Sequence, residues 1–83
     1  MDKILVEIYV PVIGRCFDVY IPVASKLSQV EALLAGALAE LTDSQFVPSR
    51  DTVLCDRLSG ETLDINSSAL ELGLLNGSRL MLI

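Results

Sequence analysis

The chain contains no histidine, so the side chain that most often acts as a general base near neutral pH is missing. Histidine would also be needed to complete a zinc site, because the two cysteines, Cys16 and Cys55, are far apart in sequence and form no CxxC pair. The carboxylates are scattered, without the glycine-rich or ligand spacing of phosphate and metal sites. We therefore expect no enzyme activity, no cofactor and no metal.

Cationic side chains are scarce, since six Lys and Arg stand against eleven Asp and Glu and give a net charge of −5. An acidic domain repels phosphate groups, which argues against nucleic acid and against anionic membrane surfaces as partners. No apolar run comes near the ~20 residues that a membrane helix needs. Asp2 and Lys3 lead into alternating residues rather than into the apolar core of a signal peptide. These features predict a soluble, cytoplasmic protein without direct membrane insertion.

The two cysteines each lie in a β-like run, where a thiol behaves as a small buried hydrophobe. Both are expected to be structural, and free thiols fit a reducing cytosol. Arg57 follows Cys55 by two residues, which in a strand would place both side chains on one face. That spacing alone does not indicate an activated thiol.

The length of 83 residues predicts one domain, residues 1–83. Apolar residues make up 52% of the chain, slightly above the usual share. Two interpretations remain open. Either some apolar side chains stay outside on a contact surface, or the domain simply has a leucine-rich core.

The N-terminal quarter has the alternation of a β-hairpin. Residues 3–10 and 16–21 predict two strands, and Pro11 and Gly14 mark the turn between them. The inward face would hold Ile4, Val6, Ile8, Val10, Phe17, Val19 and Ile21. The outward face would hold Leu5, Glu7, Tyr9, Asp18 and Tyr20.

The segment from about Ser25 to Leu41 has a helical period of 3.6 residues. Its start has two candidate caps, a capping box of Ser28 with Glu31 or an N-cap at Ser25. The predicted apolar stripe consists of Leu27, Val30, Leu33, Leu34, Ala37, Leu38 and Leu41.

The second half predicts a polar loop over residues 42–51 and strands over residues 52–58, 61–63 and 79–83. Between the last two, residues 66–68 open a single helical turn. In the terminal strand, Leu80 and Leu82 would share one face, and Met81 and Ile83 the other. The order β-β-α-β-β-β predicts an α+β fold, in which one long helix packs across one face of a mixed five-stranded sheet.

This order, the KILVEIYV strand, the Cys16–Val19 segment and the ending LELGLLNGSRL over residues 70–80 resemble the ubiquitin-like β-grasp superfamily. Within it, the chain is most similar to the YukD/EsaB-like proteins of bacterial type VII (WXG100/ESX) secretion. The resemblance implies a non-catalytic accessory or regulatory component, peripheral to a membrane secretion complex. It also implies partners among the secretion components, such as an FtsK/SpoIIIE-type ATPase.

Three alternatives remain. Ubiquitin-like modifiers and sulfur carriers end in Gly-Gly, whereas this sequence ends at Leu82-Ile83, so we expect no conjugation. The second alternative is that the chain is a domain excised from a larger secretion-system membrane protein. The third alternative is a homo-oligomer that associates through the uncovered face of the sheet.

In the β-grasp order the first and last strands are central neighbours, with one face of the sheet uncovered. We expect a protein-contact face there, formed by Leu5, Tyr9, Tyr20, Met81 and Ile83. Apolar patches of this kind mark contact sites, and Tyr and Met are well suited to anchoring a partner. The alternative is that these side chains pack across strands and only stabilise the sheet.

Overall fold

The computed structural model of the chain describes residues 2–43 and 52–83. These residues form β1 (Lys3–Val10), β2 (Arg15–Pro22), α1 (Leu27–Leu41), β3 (Leu54–Asp56) and β4 (Arg79–Leu82). The strand order is β2-β1-β4-β3, with β1 and β4 parallel and the two outer pairs antiparallel. The helix covers one face, so the predicted two-layer α+β architecture is confirmed. The sheet is mixed, as expected.

The N-terminal hairpin forms as the alternation predicts, with β2 one residue longer at each end than expected. Val6, Ile8 and Val10 are fully buried in the core. The turn closes with hydrogen bonds from the N–H groups of Ile13 and Gly14 to the carbonyls of Val10 and Pro11, at 3.2 and 3.1 Å. Gly14 has φ +63°, a conformation that glycine adopts without strain.

The helix begins at Leu27 rather than at Ser25, and both predicted caps are wrong. Lys26 is the N-cap residue, and it makes no side-chain capping bond. The N–H groups of Leu27 and Ser28 instead donate to the backbone carbonyls of Ser67 and Ile65, at 2.9 and 3.0 Å. A loop distant in sequence therefore satisfies donors that local side chains usually satisfy.

The Glu31 side chain, assigned to the predicted capping box, makes a different contact. Glu31 accepts a hydrogen bond from the N–H of Leu54, at 3.2 Å, and so ties the helix to β3. A reciprocal capping box does exist, but it lies at Ser68 and Glu71. There, each side chain accepts from the other residue's N–H, at 3.2 and 3.0 Å. It opens the predicted helical turn.

Two members of the predicted apolar stripe are exposed. Leu27, Val30, Leu34 and Leu38 are buried, as expected. Leu33 is 62% exposed, because it lies about 100° around the helix from Leu34 and away from the sheet. Leu41 is in phase with the stripe but ends the helix, so helical neighbours flank it on one side only.

The sheet has four strands in the described part of the chain, not the five expected. The strand predicted over residues 52–58 covers only Leu54–Asp56. It stops there because the Asp56 carboxylate accepts from the N–H groups of Leu58 and Ser59, at 2.8 and 3.0 Å, and turns the chain. The segment 61–63 contributes a single bridge between Thr62 and Cys55.

The terminal strand has the predicted faces, since Leu80 and Leu82 are buried. The turn before it is fixed to β1: Asn76 Oδ1 accepts from the N–H of Leu5, and the N–H of Gly77 donates to the Leu5 carbonyl, both at 2.8 Å. The predicted loop over residues 42–51 lies, from residue 44 onward, outside the described residues.

A matched pair of substitutions tests the helix orientation. Leu34→Ala is expected to lower the free energy of unfolding by about 2–5 kcal/mol, because the buried side chain leaves a cavity. Leu33→Ala makes the same change in helix propensity and is expected to cost about 0.5 kcal/mol or less. Urea denaturation followed by circular dichroism measures both. Equal losses of unfolding free energy in the two variants would show that Leu33 is as buried as Leu34 and that the helix is rotated relative to the sheet.

Candidate protein-docking face

The face of the sheet opposite α1 is here called the open face. Its side chains alternate with the buried ones along each strand, and the strand register places them in rows. They are Lys3, Leu5, Glu7 and Tyr9 of β1, Cys16, Asp18 and Tyr20 of β2, Cys55 of β3, and Arg79 and Met81 of β4.

The predicted contact residues meet in two pairs rather than in one patch. Tyr9 lies beside Met81 in the central strands, and Leu5 lies beside Tyr20 nearer the other end of the hairpin. Glu7 separates the two pairs along β1. Ile83, 53% exposed, follows β4 and continues the Arg79 and Met81 side of the strand, so it extends the open face beyond Tyr9, at the end opposite to Leu5. Its N–H donates to the Val53 carbonyl at 2.9 Å.

Tyr20 also borders a second surface. It lies on the outermost strand, β2, and lines an apolar groove of about 280 Å³ between that strand and the helix. The exposed Leu33 lies at the same groove. Tyr20 is therefore at the margin of the open face, while Tyr9 and Met81 are at its centre.

Arg57, which the sequence did not single out as a contact residue, lies across the middle of the open face. Its Nη1 atom is 2.8 Å from Glu7 Oε1 and 3.5 Å from Cys16 Sγ. Its guanidinium carbon is 4.3 Å from the centroid of the Tyr9 ring. The signal was present in the sequence, because Arg57 follows Cys55 with the two-residue spacing of one strand face.

The charges of the open face form a row across three strands. Asp18, Glu7 and Arg79 lie side by side in register, so two carboxylates are direct cross-strand neighbours. Like charges in this position repel each other, and Arg57 offsets the repulsion by pairing with Glu7. The two side chains are about one-third exposed, at 35% and 32%, so we expect a net contribution near the ~0–1 kcal/mol of surface pairs.

The prediction that both cysteines are buried holds for Cys55, which is 3% exposed, and is wrong for Cys16, which is exposed. Cys16 points from the edge strand to the open face. Both thiols are free. They lie in the two outermost strands, about 14 Å apart at strand spacings of ~4.8 Å, too far for a disulfide.

Thiol labelling tests this difference. Cys16 is expected to react with a maleimide in the native protein, whereas Cys55 reacts only after unfolding, because reagents cannot reach a buried sulfur. Mass spectrometry of peptides from the labelled protein measures each site, and Cys16→Ser isolates the slow reaction. Rapid native labelling of Cys55 would contradict the described packing of β3.

A double-mutant cycle tests the Arg57 contacts. Glu7→Gln removes the ion pair, and Arg57→Met removes both the pair and the cation–π contact with Tyr9. We expect Arg57→Met to lower the free energy of unfolding by about 1 kcal/mol, with part of the loss shared with Glu7→Gln. Thermal or urea unfolding measures the four proteins. Fully additive losses would show that the two side chains do not interact.

The described residues were compared with the requirements of a metal site and of a membrane-spanning helix. In residues 2–43 and 52–83, no group of three or more Cys, Asp or Glu side chains is placed to hold a metal ion. No helix within those ranges combines the length and the hydropathy that crossing a bilayer requires.

Comparison with known proteins finds solved structures of similar fold at low sequence identity. No family model matches the chain, and no curated protein matches it. The ubiquitin-like domain of the Mycobacterium tuberculosis type VII secretion system protein EccD1 matches with a TM-score of 0.81 and 18% identity, over 100% of this chain and 99% of that chain. The EccD5 ubiquitin-like domain from Mycobacterium xenopi gives 0.82 and 20%, over 100% and 94%. Caldiarchaeum subterraneum ubiquitin gives 0.69 and 16%, over 99% and 92%.

Proposed function

Because the chain has the ubiquitin-like β-grasp fold, we propose that residues 1–83 act as one protein-interaction domain, with no catalytic step of their own. The observation that carries this proposal is the open face. The single helix covers the other side of the sheet, so the half-buried side chains of Tyr9, Met81 and Arg57 keep part of their surface toward solvent, where a partner can contact them.

We further propose that this domain serves type VII secretion as an accessory or regulatory component in the cytoplasm. Two domains of similar structure over the whole chain belong to EccD proteins, one of them named as a type VII secretion protein. The sequence resemblance to YukD/EsaB-like proteins supports the same system. An FtsK/SpoIIIE-type ATPase of a WXG100 secretion complex is the proposed partner.

The competing interpretation is that the open face only stabilises the sheet through cross-strand contacts. Arg57 lends weight to a stabilising role, since it covers part of Tyr9 and pairs with Glu7. The two interpretations differ in what a folded variant does. A stabilising face changes the free energy of unfolding, and a docking face changes partner binding in a protein that remains folded.

The test replaces Tyr9 and Ile83 with serine in the tagged full chain and expresses it in the native host. Recovery of the secretion ATPase after cross-linking is expected to fall at least about tenfold, as for loss of an interface anchor. Leu33→Ser is the control, because Leu33 is exposed on the helix side. Circular dichroism confirms that each variant is folded. Unchanged recovery of the ATPase with a folded Tyr9→Ser, Ile83→Ser protein would exclude the open face as the site.

A further inference from the structure

The open face differs in charge from the rest of this acidic chain. Three cationic side chains lie on it, Lys3, Arg57 and Arg79, against the two carboxylates of Glu7 and Asp18. Elsewhere in residues 2–43 and 52–83 the balance is reversed, with eight Asp and Glu and two Lys and Arg. The open face therefore carries a formal excess of one positive charge, three cations against two carboxylates, within a negative surround.

The cations of the face differ in how they are engaged. Arg57 is held by Glu7 at 2.8 Å and stacks on Tyr9. Arg79 is exposed, and within the described residues its guanidinium makes no ion pair. Arg79 and Met81 lie two residues apart on the same face of β4, and Met81 is the neighbour of Tyr9. An unpaired guanidinium thus borders the apolar pair at the centre of the face.

We propose that the open face binds an acidic segment of a partner protein, in which an apolar side chain packs on Tyr9 and Met81 and a carboxylate binds Arg79. This inference rests on the proposed function and names the partner chemistry of the same face. A guanidinium binds a carboxylate through two parallel hydrogen bonds, which fixes orientation as well as charge. A nucleic acid fits less well, because its extended chain of phosphates would also meet the acidic surround.

Glu7 sets the strength of this contact. Its carboxylate pairs with Arg57, so it competes directly with a carboxylate of the partner for that guanidinium. Glu7 is also in register with Arg79, so its negative charge repels a carboxylate that binds there. Removing its charge leaves Arg57 free to contribute a second ion pair. The variant Glu7→Gln is therefore expected to bind an acidic segment more tightly than the unmodified protein.

The experiment uses the full chain and three fluorescent peptides of equal length: one of leucine and glutamate, one of leucine and lysine, and one of serine and glutamate. The leucine–glutamate peptide is expected to bind at least about tenfold more tightly than the other two, since it alone supplies both interactions. Fluorescence anisotropy measures the affinity, which should weaken as salt is added. Amide shift changes in an NMR titration should centre on Tyr9, Arg79 and Met81.

Matched variants assign the charge contact. Arg79→Gln is expected to weaken binding of the leucine–glutamate peptide about tenfold and to remove its advantage over the leucine–lysine peptide. Lys26→Gln, which removes a cation outside the open face, should leave both affinities unchanged. Equal binding of the two leucine peptides, or an unchanged affinity in folded Arg79→Gln, overturns the inference. Tighter binding of a single-stranded oligonucleotide at Arg79 than of any peptide also overturns it.

The outcomes separate this inference from the proposed function. If Tyr9→Ser, Ile83→Ser abolishes recovery of the ATPase while the peptides bind without regard to charge, the proposed function stands and the acidic-partner inference fails. If the leucine–glutamate peptide binds at Arg79 but no secretion component is recovered with the unmodified protein, the face binds acidic segments and the role in secretion fails.

Discussion

The structure depends on the burial of one stripe of one helix against one face of the sheet. Leu27, Val30, Leu34 and Leu38 supply that stripe, and β1 and β4 supply the centre of the surface beneath it. A single helix of this length can cover only one side of a four-stranded sheet. The opposite face of the sheet stays in contact with solvent or binds a partner. The candidate docking face therefore exists because the only helix of the described residues packs on the other side.

Period and alternation predicted the parts of the fold that depend on local sequence. The β1–β2 hairpin, the helix and the faces of β4 were predicted from residue spacing alone. Long-range contacts decided the remainder. The helix start depends on carbonyls of residues 65 and 67, and the short β3 depends on the Asp56 turn. Leu33 was assigned to the core because it follows Val30 by three residues in a segment of helical period, although its angular position directs it outward.

The candidate face could be predicted only in outline. Alternation placed Tyr9 and Met81 on the right side of the sheet, but their contact depends on the parallel register of β1 and β4, which the sequence does not encode locally. The same register places Arg79 beside Glu7. The reach of Arg57 from a turn after β3 to the far side of β1 is a property of the assembled sheet. The charged side chains of Glu7, Arg57 and Arg79 therefore separate apolar residues that alternation alone predicts as one continuous patch.

The parallel pairing of β1 with β4 also constrains how this protein is made. Of the described strands, β1 is synthesised well before β4, its inner neighbour in the sheet, so the central pair cannot form until β4 has left the ribosome. Until then, the apolar side of the hairpin and its free inner edge are accessible to chaperones or to other nascent chains. Pairing Glu7 with Arg79 also closes a long loop, which slows folding relative to a helical bundle of equal size.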